Sequence, residues 1–306
     1  MHRTLPVDGI KGAAMSMQKV VFASDLSERA GRAGRRAVQL AEAHDAQLEA
    51  VHVIETDSPG LRALSGSPDR EGVFQAAAEQ QLQSGTPGHR AKPRVLIGDV
   101  VGEVVCATDE GDADLLVVGA HGRQYVRDWM LGTTAEQLVC HARTPTLVVR
   151  RDSDAPYRRV VVGVDFSECS RAALQIARRW FPAAELYLLY VVDTAELDRM
   201  RAAGIGDSYI QEQQTRWMEE ARTELEEFAR DEELSPDEVH LEVHAGYPAT
   251  VLLEALGGLG ADLVVMGNHG RGRWANMLLG SVASRLLREL STDLLLVRDD
   301  APGVEG

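Results

Sequence analysis

The chain repeats itself, and a repeat fixes architecture before any single residue does. Residues 19–27 read KVVFASDLS, and residues 159–167 read RVVVGVDFS. Downstream, 114–123 (DLLVVGAHGR) matches 262–271 (DLVVMGNHGR), and 144–150 (TPTLVVR) matches 292–298 (TDLLLVR). Three matched blocks in one order mark a duplicated domain. The short, polar, Pro156-containing stretch between the halves reads as a linker. We therefore expect a disordered extension over 1–17 and a first domain over 18–150. A linker over 151–156, a second domain over 157–299 and a tail over 300–306 complete the chain.

Each half alternates strand and helix signals. In the first, apolar runs at 20–23, 48–54, 94–97, 115–118 and 146–149 read as strands. Helical patterns fall between them at 28–44, 71–82, 101–110 and 134–141; Ala33, Ala37, Leu40 and Ala41 recur at helical spacing. The second half keeps this order with a longer charged helix over 207–232. That insertion explains why Asp25 and Asp165 lie 140 positions apart, while Gly119 and Gly267 lie 148 apart. Strands apolar throughout, alternating with helices, imply parallel sheets covered on both faces. The expected class is α/β: two tandem doubly wound, Rossmann-like domains, each a five-stranded parallel sheet with helices on both faces. Such folds bind ligands outside the carboxyl ends of the strands, where the strand order reverses.

Composition narrows the function classes. A formal net charge of −15 argues against sequence-independent binding to nucleic acid or anionic membrane. The longest apolar stretches are strand-sized, so no transmembrane span is expected. The first residues carry no apolar h-region, and cytoplasm is the expected location. Cys106, Cys140 and Cys169 form no CxxC pair and read as buried or incidental thiols.

The chemistry lies in two glycine-rich loops. After 115–118 come Gly119, Ala120, His121 and Gly122, then nine residues, then Gly132 and Thr133. After 263–266 come Gly267, Asn268, His269 and Gly270, then nine residues, then Gly280 and Ser281. Both read G-x2-G-x9-G-[ST], between a strand and a helix. Glycines let backbone approach an anion closely, and a helix start supplies N–H groups and a favourable dipole. Thr133 and Ser281 add hydroxyl donors. Several such contacts suffice for micromolar phosphate-ligand binding, about −8 kcal/mol. Read without function, the same residues are tight turns and helix caps. No GxxxxGK[ST] is present, and no GxGxxG follows the first strand.

These blocks resemble the universal stress protein family. Asp25 and Asp165, the two loops and the closing TPTLVV-like strand carry the resemblance, which spans about 18–150 and 157–299. It implies an adenine-nucleotide α-hydrolase-like fold and a regulatory, stress-response role with ATP bound in both halves, Mg2+ accompanying the phosphates. Asp25 and Asp165 would then lie near the adenosine, and Val53 and Val191 would offer backbone bonds to adenine. Gly119, Gly122, Gly132, Thr133 and Thr134 would hold ribose and phosphates, as would Gly267, Gly270, Gly280, Ser281 and Val282. Thr134 departs from the usual apolar residue, which Val282 keeps. Single-domain relatives pair through their last strands, so 146–149 and 294–297 are expected to pair within this chain as an internal pseudo-dimer. Dimerisation of the whole chain is a further expectation. The first loop holds Arg123, Arg127 and Asp128, the second Arg271 and Arg273 with no acid; on charge, the second site should bind ATP more tightly.

Two rival functions stand beside this one: a weak ATP hydrolase or self-phosphorylating enzyme, and an interaction module that binds no nucleotide. The loops lack the lysine and catalytic carboxylate of fast phosphoryl transfer, and no residue is assigned a catalytic role. His121 and His269 read as loop or ligand contacts, Ser27 and Ser167 as helix caps. Trp180, Trp217 and Trp274 read as core or interface residues, and 219–233 as a solvated helix face.

Overall fold

The computed structural model describes residues 17–55, 76, 78–83, 91–120, 132–270 and 279–298. The first half runs β1 (Lys19–Ala23), α1 (Ala30–His44), β2 (Gln47–Glu55), β3 (Lys92–Gly98), α2 (Val100–Glu110), β4 (Leu115–Gly119), α3 (Thr133–His141) and β5 (Thr146–Val149). The second runs β6 (Arg159–Val164), α4 (Glu168–Trp180), β7 (Glu185–Asp193), α5 (Ala195–Ala202), α6 (Asp207–Asp231), β8 (Val239–Gly246), α7 (Pro248–Leu259), β9 (Leu263–Gly267), α8 (Ser281–Glu289) and β10 (Asp293–Val297). Residues 78–83 are helical and overlap the helix expected over 71–82.

Ten strands form one sheet in the order β3-β2-β1-β4-β5-β10-β9-β6-β7-β8. Each half is a parallel, doubly wound sheet, as the uninterrupted apolar strands require. Val20 and Phe22 point into one core cluster and Val21 into the other, all at most 1% exposed. Helices α1, α4 and α6 cover the first face; α2, α3, α7 and α8 cover the second. On α1, Ala33, Ala37 and Ala41 form a fully buried stripe, matched on α4 by Ala173 and Ala177. Small residues at that spacing let each helix sit close to its sheet.

Three expectations need correction. Met17, assigned to the extension, is buried in the core, and Gln18 N–H donates to Asp114 Oδ2 at 2.6 Å. Helix α1 begins at Ala30, not Glu28: Glu28 and Arg29 form a turn ahead of it, although the matching Glu168 opens α4. Ser27 is therefore not the N-cap residue, although its Oγ still accepts from Ala30 N–H at 3.1 Å. The longer charged helix expected over 207–232 is α6, Asp207–Asp231, and it is preceded by α5, a short helix the sequence reading did not expect, which ends before Gly204 at φ 84°.

The halves join through antiparallel pairing of β5 and β10, with Leu294 opposite Val148, Leu295 opposite Leu147 and Leu296 opposite Thr146. This is the internal pseudo-dimer that the closing strands suggested. A buried polar cluster fastens one end of the seam. Asp293, 0% exposed, accepts from Arg150 N–H at 2.7 Å, Arg151 N–H at 2.9 Å and the Tyr157 hydroxyl at 2.7 Å. Arg36 of α1, 3% exposed, lies 3.7 Å from Asp293, stacks 4.2 Å over the Tyr157 ring and donates to Ala155 O at 2.8 Å. Burial, followed by the charge of Asp293, pushes the Tyr157 phenol well above its usual range, so it stays a donor. Burial also lowers the Arg150 guanidinium to about 10. The linker is laid along α1 by Arg35 pairing with Asp152 and by Gln39 donating to Asp154 O at 2.9 Å.

Candidate functional site

In each half the strand order turns back between two central neighbours, β1 and β4 in the first and β6 and β9 in the second. Connections leave these strands towards opposite faces, which opens a crevice at their carboxyl ends. The repeated sequence blocks end there: Asp25 and Asp165 follow β1 and β6, and Gly119 and Gly267 close β4 and β9.

The same three backbone bonds shape both glycine loops. Ala120 N–H donates to Val149 O at 3.0 Å, and its carbonyl accepts from Gly132 N–H at 2.8 Å. Asn268 N–H donates to Val297 O at 2.8 Å, and its carbonyl accepts from Gly280 N–H at 2.7 Å. The N-cap carbonyls of Gly132 and Gly280 then accept the first helical bonds, from Glu136 at 3.1 Å and Ser284 at 2.8 Å. Thus the residue after the strand glycine ties the loop's two ends together. Both N-cap glycines are extended, with φ near −70° and no side-chain cap. Thr133 and Thr134, and Ser281 and Val282, occupy the first turns of α3 and α8. Their amides point towards the crevice end of the sheet, where a helix N-terminus favours negative charge. Gly122, His121, Arg123, Arg127, Asp128, Arg271, Arg273 and Trp274 lie outside the described residues.

The opposite wall is a paired turn. Asp25 Oδ1 accepts from Ser27 N–H at 3.0 Å, and Asp165 Oδ1 accepts from Ser167 N–H at 3.0 Å and from its hydroxyl. Between each pair stands a large residue at positive φ, Leu26 at 60° and Phe166 at 61°. Such a conformation costs roughly 1–2 kcal/mol in a non-glycine residue. Its recurrence in both halves shows that the turn's shape outweighs that cost. Ser167 also caps α4 as expected, accepting from Ser170 N–H at 3.2 Å.

The glycine positions divide by role. A Cβ on Gly267 would lie 2.5 Å from Cys169 Cβ, so this glycine lets α4 pack against the loop. A Cβ on Gly270 would lie 2.7 Å from Asp165 Oδ2, which places the loop directly against the Asp165 carboxylate. Gly280 lies under Asn268 O, 3.3 Å from where its Cβ would be.

Val53 and Val191 stand at the ends of β2 and β7, beside the crevice. In a parallel ladder alternate residues turn both backbone groups to one neighbour. Gln47 N–H donates to Gln18 O at 2.7 Å, and Ser24 N–H donates to Val51 O at 2.9 Å, so odd-numbered residues of β2 face β1. Val53 keeps this direction two residues past the last β1–β2 pair, Ala23 with Val51. On β7, Glu185 N–H donates to Arg158 O at 2.8 Å, and Val191 lies just past the last pair, Val164 with Tyr190.

Sequence reasoning missed two features here. Asp114 and Asp262 open the repeated DLLVVG and DLVVMG blocks. Their carboxylates hold the amides that start β1 and β6, at 2.6 and 2.8 Å and at 3.0 and 3.2 Å. An invariant acid within the repeat was the available signal. The second feature is Asn268, 1% exposed, whose Oδ1 lies 2.7 Å from His269 Nδ1. A cleft of about 420 Å³ bordered by Lys19, Asp45, Glu49 and Lys92 lies at the opposite, amino-terminal strand ends, away from both crevices. Among the described residues, no group of three or more His, Cys, Asp or Glu is arranged to hold a metal ion. None of their helices is long and apolar enough to cross a membrane.

The family comparison follows the geometry. The model of the universal stress protein family matches residues 17–150 and again 156–298. The chain belongs to this family, as a tandem member. A universal stress protein of Mycolicibacterium smegmatis is 28% identical, over 91% of this chain and 96% of its own length. Another, from Mycobacterium tuberculosis strain H37Rv, is 30% identical over 61% of this chain and 62% of its own. Among solved structures, a universal stress protein from Archaeoglobus fulgidus superposes with a TM-score of 0.61 at 18% identity, covering 92% of this chain and 99% of that one. A functionally unknown protein from Pseudomonas aeruginosa PAO1 gives 0.63 at 16%, covering 94% and 95%. Both likenesses concern the fold.

Proposed function

We propose that this universal stress protein is a cytoplasmic, nucleotide-responsive regulator that binds one ATP in each half. The carrying observation is that both crevices are built by the same three loop-closing bonds beside the same Asp–Ser turn. Two copies of a structural turn had room to diverge in detail; two copies of a binding cradle keep their backbone. In this reading the first-turn amides of α3 and α8, with the Thr133 and Ser281 hydroxyls, take the phosphates. Gly119, Gly122, Gly132 and Thr134 line the ribose–phosphate path in the first half, and Gly267, Gly270, Gly280 and Val282 in the second. Asp25 and Asp165 face the adenosine, and the backbone of Val53 and Val191 meets the base edge. Mg2+ arrives with the triphosphate and is held chiefly by phosphate oxygens and water.

Thermal denaturation with ATP, ADP, AMP and GTP tests the reading. Ligand at about 100 times its dissociation constant should stabilise the fold by roughly 2.7 kcal/mol, with adenine nucleotides preferred. Gly270→Val should remove the second-half share, because its side chain would collide with Asp165. A melting temperature indifferent to all four nucleotides would favour the interaction-module function instead.

A further inference from the structure

The two glycine loops differ at the residue that ties their ends together, Ala120 in the first half and Asn268 in the second. Ala120 is an ordinary core residue, 1% exposed in the cluster beneath α2 and α3. Asn268 occupies the matching position with a polar amide, also 1% exposed. It follows Met266 at strand spacing, so its side chain falls on the sheet face that carries α7 and α8. The amide Oδ1 lies 2.7 Å from His269 Nδ1; because that oxygen only accepts, the ring nitrogen carries the proton. The amide Nδ2 is buried and has no hydrogen-bond partner among the described residues. A buried donor without an acceptor weakens the empty fold, and the first half shows that alanine closes this loop without that penalty. The exception sits at the floor of a candidate ligand loop, next to the N-cap of the nine-residue helix α8. Local rules are broken in this way where a ligand completes the structure.

We propose that Asn268 is a specificity-determining residue of the second site, its Nδ2 donating to a sugar–phosphate oxygen of the bound nucleotide. The contact rests on the nucleotide reading given above and deepens it. The first site, with Ala120, has no such donor, so the two halves of one chain hold the same ligand with different strength. The buried amide gains its missing acceptor only when the second site fills.

The chain has only two asparagines, Asn268 and Asn276, so selective 15N-asparagine labelling gives two side-chain NH2 signals. Asn268→Ala identifies the relevant pair by its loss. On titration of the full-length protein with Mg-ATP, the Asn268 pair should shift and become protected from hydrogen exchange. Calorimetry should show the second-site affinity falling roughly tenfold in Asn268→Ala, as expected for one hydrogen bond to a charged group. The same variant without nucleotide should melt at or above the wild-type temperature, which a merely structural asparagine would not allow. If wild type binds ATP while the Asn268 signal stays still, or Asn268→Ala binds equally and melts lower, this inference alone is overturned. If wild type binds no ATP in either half, the nucleotide reading falls and takes this one with it.

Discussion

The two halves agree in strand order and loop-closing bonds and disagree in side chain at three places: the seam, the loop floor and the first turn after the Asp–Ser motif. At the seam, Arg36, Tyr157 and Asp293 form the buried polar cluster. The positions that the repeat makes equivalent are Ile176, Met17 and Pro145, all buried. One end of the pseudo-twofold is therefore a buried ionic network and the other is apolar. A single-domain ancestor pairing with itself must use the same chemistry at both ends. A duplicated chain is released from that constraint, and here one end has become a fastening between α1, the linker and β10. The loop floor shows the same release, with Asn268 in place of Ala120. A third difference lies in the first turn after the Asp–Ser motif. Cys169 packs against Gly267, and Arg29 stands at the matching sequence position of the first half. Duplication kept what shapes the loops and freed what fills them.

The seam comparison can be broken hardest. Asp293→Ala removes the acceptor of two backbone amides and a phenol and strips Arg36 of its counter-charge. Removing one partner of a buried ion pair costs about 3–5 kcal/mol. Equilibrium urea unfolding should show that loss, whereas Ile176→Val on the apolar end should cost only about 0.5–1.5 kcal/mol. The triple variant Arg36→Ile, Tyr157→Met, Asp293→Pro copies the apolar end onto the polar one. It should recover most of the loss, because well-packed apolar replacements of buried ionic clusters are commonly neutral or stabilising. A triple variant as weak as Asp293→Ala would mean that the two ends are not equivalent in shape.

The turn comparison is next. Leu26 and Phe166 share a left-handed backbone, but Phe166 also packs 4.6 Å from the Tyr190 ring and 5.7 Å from the Phe228 ring. Phe166→Gly relieves strain of roughly 1–2 kcal/mol but loses two ring contacts of about 0.5–1.5 kcal/mol each, plus buried area. A net loss of about 2 kcal/mol in urea unfolding is expected. Leu26→Gly should stay within about 1 kcal/mol of wild type. Within the second loop, Gly267→Ala should cost about 1–3 kcal/mol of stability by crowding Cys169. Gly270→Ala meets the movable end of Asp165 and should act mainly on nucleotide affinity in calorimetry.

Most of this comparison was legible in sequence for a physical reason. Apolar runs such as 115–118 and 263–266 can only be buried strands, and a strand–glycine–helix order places the loops at the carboxyl edge. Pairing of the closing strands followed from the family resemblance, and its antiparallel sense came from the structure. What escaped was long-range or conformational. Nothing near Asp293 in sequence announces Arg36, 257 positions away, or Tyr157. The left-handed turns at Leu26 and Phe166 were hidden because leucine and phenylalanine give no glycine-like signal. Helix α5 escaped because its eight residues bury Leu197 alone and so carry no apolar period.

The smallest expected effect lies where α1 and α4 end on the first sheet face. His44 closes α1 and reaches the Trp180 carbonyl at the end of α4; its counterpart in the repeat is Ala184. Burial lowers the His44 pKa below 6.5, and the bond to Trp180 only partly opposes that. Below pH 6.5 the unfolded chain therefore takes up a proton that the folded chain refuses. Above that pH both forms are neutral at this residue, so its contribution to stability is intact at pH 8 and shrinks as pH falls towards the folded value. Urea midpoints measured at pH 8 and pH 5.5 should differ less in His44→Gln than in wild type. Because Ala184 cannot titrate, Ala184→Gln, which puts the same amide at the matching place of the second half, should leave the wild-type difference in place. Equal narrowing by both substitutions would take the pH response away from His44 and remove this last asymmetry between the halves.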